Sequence, residues 1–344
     1  MTSSAVQHDV ELEVRGLSKY FSSGGALFSR ERVHAVEDVS FTLRPGRVTA
    51  LVGESGSGKS TVARLLLRLY EPTAGSVIFD GRDISTERSR ESILRYRAQV
   101  QMIFQDPFGS LNPVKTVHHH LARPLQIHHI VPPSQLEERI HVLLETVGLV
   151  PAAAVAAKYP HELSGGQRQR VAIARALAVQ PTVLIADEPT SMLDVSIRIG
   201  ILNLIVALKE DHRLAFLYVT HDLASARYVA DDVLVMYAGQ VVEQGPIDRV
   251  LQSPKHPYTQ LLLSAAPDPT GTAPGRVELN RAQQSAAVDP RAGCRFLARC
   301  PLAIDVCSRI TPELVDDGQG QGARCHVTAP STAIREETHV GSTR

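Results

Sequence analysis

The chain has no tryptophan and few other aromatic residues, with eight tyrosines and eight phenylalanines among 344 residues. An aromatic platform for a flat ligand must therefore come from phenylalanine or tyrosine. No run approaches the roughly 20 apolar residues of a membrane-spanning helix, so we predict that the chain does not cross a membrane. It does not open with a basic segment followed by an apolar core, which predicts a cytosolic protein without a signal peptide.

An excess of charge of one sign is also missing, because 36 basic residues balance 36 acidic ones. Without a clustered basic stripe, nucleic acid is not expected as the main partner. The arginine-rich stretch 82–97 alternates with acids, which is typical of a solvent-exposed helix face.

Cysteine does not occur before position 294, and the four cysteines are separated by five, six and seventeen residues. Their confinement to a Gly/Pro/Arg-rich tail of a cytosolic protein favours a shared metal over disulfides. The spacing differs from the paired C-x-x-C of zinc ribbons. Zinc and simple buried or free thiols are the alternatives for Cys294, Cys300, Cys307 and Cys325.

The string GESGSGKS fits the phosphate-loop template and lies between a strand-like apolar run, 48–52, and a helix-like run, 61–70. Its backbone N–H groups are expected to surround the phosphates of a nucleotide. Lys59 would reach the terminal phosphates and Ser60 would bind Mg²⁺. The predicted nucleotide-binding residues here are Gly53, Glu54, Ser55, Gly56, Ser57, Gly58, Lys59, Ser60 and Thr61.

A second acidic element follows the apolar run 182–185. A short strand that ends in Asp187 and Glu188 places both carboxylates at the carboxyl edge of a sheet, where ligands of α/β folds bind. Asp187 is the expected partner of Mg²⁺, and Glu188 is expected to polarise the attacking water.

Six segments occur together: the phosphate loop, MIFQDP around Gln105, LSGGQRQR (163–170), LIADEPT (184–190), SMLD (191–194) and VTHD (219–222). In this order they resemble an ATP-binding-cassette (ABC) transporter ATPase over most of residues 10–250. The resemblance implies an α/β fold of the ABC-type P-loop NTPases. That fold has a RecA-like core, an antiparallel β subdomain and an α-helical subdomain at about 106–180.

The resemblance also implies roles for single residues. Gln105 corresponds to the glutamine that contacts Mg²⁺ or water, and His221 to the histidine that holds the γ-phosphate in register with catalytic Glu188. The signature residues, which bind ATP held by the opposite subunit, are Ser164, Gly165, Gly166 and Gln167.

Two further positions follow from the same resemblance. For adenine stacking we favour Phe21 over Tyr20, with a core role as the alternative. Asp194 belongs to the loop that crosses the dimer interface, where Met192 replaces the family's usual alanine.

The end of the chain narrows the resemblance to the oligopeptide and dipeptide permease ATPases, which share the run SPKHPYTQLLLSAAP (253–267). We interpret this run as a mark of the subfamily and not as a site. The expected domains are the ATPase at 10–250, a small cysteine-containing C-terminal extension at 251–330 and a flexible tail at 331–344. The insert 22–32 is expected to be a mobile loop.

The tail cysteines resemble the pattern with which some of these ATPases hold a [4Fe-4S] cluster. We therefore predict that the four cysteines ligate such a cluster, with a structural or redox-sensing role and no part in hydrolysis. The five histidines at 118–120, 128 and 129 lack a recognisable ligand spacing, and a metal site is not favoured there. Leu111 and Val114 are either permease-facing groove residues or helix-packing residues, as is Phe108.

The predicted function is that of the ATP-hydrolysing subunit of a peptide importer, with ATP and Mg²⁺ bound. The expected partners are a second ATPase subunit, generally a different chain, two membrane permeases and, through them, an extracytoplasmic binding protein. The expected location is the cytoplasmic face of the inner membrane. Oligosaccharide or nickel import is the alternative within the subfamily. A non-transport cassette protein of DNA repair or ribosomes is disfavoured by the single phosphate loop and the permease-type tail.

Overall fold

The computed structural model describes residues 10–22, 32–265 and 293–330. The interior of the predicted mobile loop and the predicted flexible tail lie outside the described residues. The strands are β1 (Leu12–Ser22), β2 (Arg32–Leu43), β3 (Val48–Val52), β4 (Ala74–Phe79), β5 (Arg82–Asp83), β6 (Val100–Ile103), β7 (Val183–Asp187), β8 (Ala215–Thr220), β9 (Asp232–Tyr237), β10 (Gln240–Pro246), β11 (Val315–Asp316) and β12 (Gly322–Ala323).

The helices of the described ranges connect these strands. They are α1 (Lys59–Leu66), α2 (Arg90–Gln99), α3 (Pro107–Ser110), α4 (Val117–Ile127), α5 (Leu136–Thr146), α6 (Ala152–Ala156), α7 (Gly165–Leu177), α8 (Val195–His212), α9 (Leu223–Val229), α10 (Ile247–Gln252) and α11 (Pro257–Ala265). Within the described ranges, no helix combines the length and apolar character that crossing a membrane requires.

The main sheet has the order β11-β12-β10-β9-β3-β8-β7-β6, in which the five strands from β9 to β6 are parallel. Every residue of β3, β7 and β8 is buried. Their continuous apolar sequences match a parallel sheet that is covered on both faces. The carboxyl ends of β3, β7 and β8 consequently meet at one edge, where the phosphate loop and the Asp187–Glu188 pair follow their strands.

A smaller antiparallel sheet has the order β2-β1-β4-β5, as predicted for the antiparallel β subdomain. The N–H of Arg47 donates to the carbonyl of Arg44, which closes the turn between β2 and β3. Adjacent β3 residues serve two cores: Ala50 packs with the helical subdomain, whereas Leu51 packs with the antiparallel sheet and α1. This alternation joins the two subdomains across the main sheet.

The segment 107–177 contains helices α3 to α7. In α5 the buried residues Ile140, Leu143 and Leu144 recur at helical spacing. Leu111 is 2% exposed and therefore packs inside, whereas Val114 is 71% exposed. Leu111 thus fits the helix-packing alternative, whereas the exposed Val114 does not. The side chain of Phe108 lies outside what the structure describes.

The C-terminal extension joins the ATPase sheet. β12 pairs with β10, with Glu243 opposite Ala323, and β11 pairs with β12. Arg324, which follows β12, donates to the carbonyl of Val241 at 3.0 Å and to the carboxylate of Asp38 at 2.7 Å. The cysteine-bearing segment therefore packs directly on the nucleotide-binding core.

Candidate active site

The phosphate loop connects β3 to α1, and two of its glycines occupy positions that a side chain could not. Gly58 has a φ of +106°, and a Cβ there would lie 2.3 Å from the carbonyl oxygen of Ala35. At Gly53, a Cβ would lie 2.1 Å from the carbonyl oxygen of Met236. The loop therefore depends on glycine for both its backbone conformation and its close approach to neighbouring strands.

Lys59, the first residue of α1, is buried under the loop and donates to the carbonyls of Gly53 and Glu54, at 2.8 Å each. Burial lowers the pKa of its ammonium group, while the carboxylates of Glu188, Asp187 and Glu54 act in the opposite direction. A cation held this way can turn toward the phosphates of a nucleotide, whose charge would complete its environment.

The predicted Mg²⁺ ligands are adjacent. The hydroxyl of Ser60 lies 3.3 Å from Oδ1 of Asp187. Burial raises the pKa of Asp187, and the hydrogen bond from Ser60 opposes that rise. A hydroxyl beside a buried carboxylate suits Mg²⁺, which commonly uses one or two carboxylates together with substrate phosphates. The donor set therefore fits a cation shared with a nucleotide.

The three predicted catalytic residues converge. Nε2 of Gln105 donates to one carboxylate oxygen of Glu188 at 3.1 Å, and Nδ1 of His221 lies 3.1 Å from the other. Glu188 has a φ of +45°, an uncommon conformation for a residue other than glycine. Its backbone N–H donates to the carbonyl of Val219 at 2.9 Å. The carboxylate is thus held at the edge of the sheet, where it can accept a proton from water.

An open cavity of about 1100 Å³ lies above this arrangement. Ser57 lies below the loop, where its carbonyl accepts from the N–H of Gly239, and Asp187 is reached through Ser60. The remaining predicted loop residues and the catalytic trio line the cavity: Gly53, Glu54, Ser55, Gly56, Gly58, Lys59, Ser60, Thr61, Gln105, Glu188 and His221.

The signature segment lies at the start of α7. Ser164 is the N-cap residue and forms a reciprocal pair of hydrogen bonds with Gln167. A Cβ at Gly166 would lie 2.5 Å from the side chain of Ile197, so glycine allows α7 to pack against α8. Ser164 is exposed and is not among the residues that line the cavity of its own chain. The described fold therefore leaves this helix start facing outward.

Sequence profiles of two families match the chain, the ABC transporter family at residues 36–191 and the oligopeptide/dipeptide transporter C-terminal region at residues 242–307. The probable peptide ABC transporter ATP-binding protein y4tS of Sinorhizobium fredii is 43% identical over 94% of this chain and 92% of its own length. The oligopeptide transport ATP-binding protein AppF of Bacillus subtilis is 41% identical over 94% of this chain and 99% of its own. The chain belongs to the ABC transporter ATPases.

Solved structures of the family agree with the fold of this ABC ATPase. The cassette MJ0796, in a dimeric post-hydrolysis state bound to ADP and phosphate, is 28% identical with a TM-score of 0.61, covering 69% of this chain and 98% of that one. The protein cbiO1 from Clostridium perfringens is 30% identical with a TM-score of 0.62, covering 72% and 92%. The predicted ABC-type ATPase fold and the ATPase activity are thus confirmed.

The predicted adenine platform, Phe21, stays a prediction, and the structure places it and Tyr20 as follows. Phe21 is not among the described residues that line the cavity; it packs edge-on against Tyr70, with ring centroids 5.4 Å apart. The ring of Tyr20 instead lies 4.1 Å from that of His34, which does line the cavity. Register shifts in β1 on either side of Lys19 change which face each following side chain joins.

The predicted iron–sulfur site is not supported by the arrangement in the structure. The four cysteines are free, and burial raises the pKa of Cys294 to about 11 and also raises that of Cys300. Negative charge on Cys307, Cys300 and Cys325 would add to the rise in the pKa of Cys294. However, no three or more His, Cys, Asp or Glu side chains of the described segments are grouped as a metal site.

Sequence reasoning missed four cavity-side residues that come from the C-terminal extension of this ATPase. Leu262 and Arg295 line the cavity. The hydroxyl of Tyr258 accepts from the N–H of Glu54 at 2.9 Å, and Arg299 forms an ion pair with the Glu54 carboxylate. The 253–267 run, predicted to mark only the subfamily, thus contacts the phosphate loop. Glu54 is 204 positions from Tyr258 and 245 positions from Arg299, so no local sequence pattern could have indicated these two contacts.

Proposed function

We propose that this ABC ATPase energises the import of peptides through membrane permeases. The observation that carries the proposal is 41% to 43% identity, over more than nine-tenths of the chain, to proteins named as peptide, oligopeptide and di/tripeptide transport ATP-binding proteins. The match includes the C-terminal region that defines the oligopeptide/dipeptide group. Cargo selection would belong to the permeases and to an extracytoplasmic binding protein.

ATP would occupy the cavity with its phosphates on the 53–61 loop and Lys59. Ser60 and Asp187 would hold Mg²⁺, which would supply positive charge to neutralise the phosphates. Glu188 would orient and deprotonate the attacking water while Gln105 and His221 hold its carboxylate. The outward-facing Ser164 supports completion of the site by a second ATPase subunit, whose own Ser164 counterpart would contact this ATP.

Closure of two such subunits around ATP would drive the permeases outward-open, and hydrolysis would reset them. The chain would thus work as a peripheral protein at the cytoplasmic face of the inner membrane.

Uptake by intact cells tests the cargo. Cells that lack this chain should lose uptake of a labelled dipeptide or oligopeptide and regain it with the wild-type chain but not with Glu188→Gln. Unchanged peptide uptake, with loss of oligosaccharide or nickel uptake instead, would contradict the peptide assignment. Permeases that co-purify from detergent-solubilised membranes would identify the partners, and recovery of the chain without any membrane protein would favour a non-transport role.

The [4Fe-4S] cluster remains a proposal that rests on the sequence. It is supported by the number of cysteines and their confinement to the tail. Protein purified anaerobically should then be brown, with about four irons per chain, and Cys300→Ser should lose the colour. One zinc per chain, or four freely titrating thiols in the native protein, would reject it.

A further inference from the structure

The cysteine-bearing segment is anchored beside the phosphate loop by an aromatic cluster. Phe296 is 2% exposed, and its ring centroid lies 5.2 Å from that of Tyr237 and 5.7 Å from that of Tyr258. The ring centroid of His256 lies 5.6 Å from that of Phe296. A buried aromatic with three aromatic neighbours holds the following residues in a defined position.

Three residues after this anchor, Arg299 reaches the phosphate loop. Its two terminal nitrogens each lie 2.9 Å from a different carboxylate oxygen of Glu54, which is the two-bonded geometry that arginine favours. The guanidinium also lies over the rings of Tyr237 and Phe296, at 5.7 and 5.8 Å from their centroids. Because Tyr258 accepts from the Glu54 N–H, both the backbone and the side chain of Glu54 are held by the extension.

Glu54 is the acidic residue of the loop 53–61, and it lines the cavity proposed for ATP. Its carboxylate lies within electrostatic range of Lys59, whose ammonium would bind the phosphates. An unneutralised carboxylate at this point would repel the polyanionic ligand and compete for the same lysine. The charge and orientation of Glu54 therefore affect the binding of ATP.

We propose that Arg299 is a positioning residue for ATP binding, which neutralises Glu54 and holds it away from the phosphates, so that the C-terminal extension sets the affinity of the site. This inference rests on the proposed ATP site and not on the cargo. It assigns to the extension a direct effect on the nucleotide cycle, although Arg299 follows Glu54 by 245 residues.

The experiment measures equilibrium binding of a fluorescent ATP analogue with Mg²⁺ to the purified full chain. Arg299→Ala should weaken binding roughly three- to tenfold, the range for a charge-assisted pair that is partly open to solvent. Arg299→Lys, which keeps the charge but loses the planar fork, should fall between that variant and the wild type. Arg309→Ala is the matched control, because Arg309 is an exposed arginine of the same extension.

The decisive readout is the combination with Glu54→Gln. If Arg299 acts by neutralising Glu54, Arg299→Ala should have little effect once that carboxylate is an amide. An equal loss of affinity in both backgrounds would show that Arg299 acts only through the fold of the extension, and wild-type affinity in Arg299→Ala would overturn the inference directly. If Lys59→Ala bound the analogue as tightly as the wild type, the ATP-site assignment itself would be rejected. The two failures are therefore distinguishable.

Discussion

Replacement of Glu188 by glutamine isolates the chemical step from nucleotide binding. Glutamine has almost the same size and can still accept the 3.1 Å hydrogen bond from Gln105, so the geometry of the site should persist. What disappears is the carboxylate that accepts a proton from water. General-base catalysis contributes at least about a hundredfold, so the barrier should rise by about 2.7 kcal/mol or more.

Binding of ATP should not weaken in the same variant. Glu188 is one of three carboxylates that act electrostatically on Lys59, and its neutralisation reduces the negative charge facing the phosphates. We therefore expect an affinity for ATP equal to or tighter than that of the wild type, together with accumulation of the ATP-closed dimer.

Phosphate release by the assembled transporter measures the effect, with the partner subunit's own site inactivated in every sample. Glu210→Gln, at an exposed position of α8, is the matched control and should hydrolyse ATP normally. Turnover by Glu188→Gln within a few-fold of the wild type, with ATP affinity intact, would refute the assignment of Glu188 as the base.

Three further outcomes are expected. Ser164→Arg should cripple turnover of the assembled transporter while the isolated chain still binds ATP through Lys59; an equal loss of binding by the isolated chain would reject action on the opposite subunit. Gly58→Ala should weaken ATP binding at least tenfold and lower the melting temperature, because a φ of +106° and a 2.3 Å approach to a carbonyl oxygen strain any side chain. Burial lowers the pKa of His256 to about 4 in the folded protein. As the pH falls, the unfolded chain therefore binds a proton at this histidine before the folded protein does, and the free energy of unfolding should fall below pH 7, by about 2 kcal/mol at pH 5. Denaturant titrations at several pH values should show that the free energy of unfolding of His256→Asn falls less between pH 7 and pH 5 than that of the wild type. An equal fall in both proteins would assign the pH dependence to other groups.

Much of the nucleotide site could be predicted because its parts are local. An apolar run followed by glycines and a lysine specifies a strand, a turn and a helix start whatever surrounds them. The strand-like run 48–52 has the limits of β3. The resemblance supplied Gln105 and His221, which have no local signal of their own, and the structure brought both to Glu188.

What the sequence did not indicate depended on which distant surfaces meet. The 253–267 run was predicted only to mark the subfamily, whereas Tyr258 of that run accepts from the N–H of Glu54. β12 extends the main sheet, and the extension to which it belongs brings Arg299 to Glu54.

The sequence by itself therefore determined the local elements of the site: a phosphate loop that ends in Lys59 and Ser60, and an apolar strand that ends in Asp187 and Glu188. The tertiary structure alone decided how the extension is used. Contacts across 245 residues arise from the packing of Phe296 among Tyr237, Tyr258 and His256, and packing of this kind leaves no periodic or motif signal in the chain.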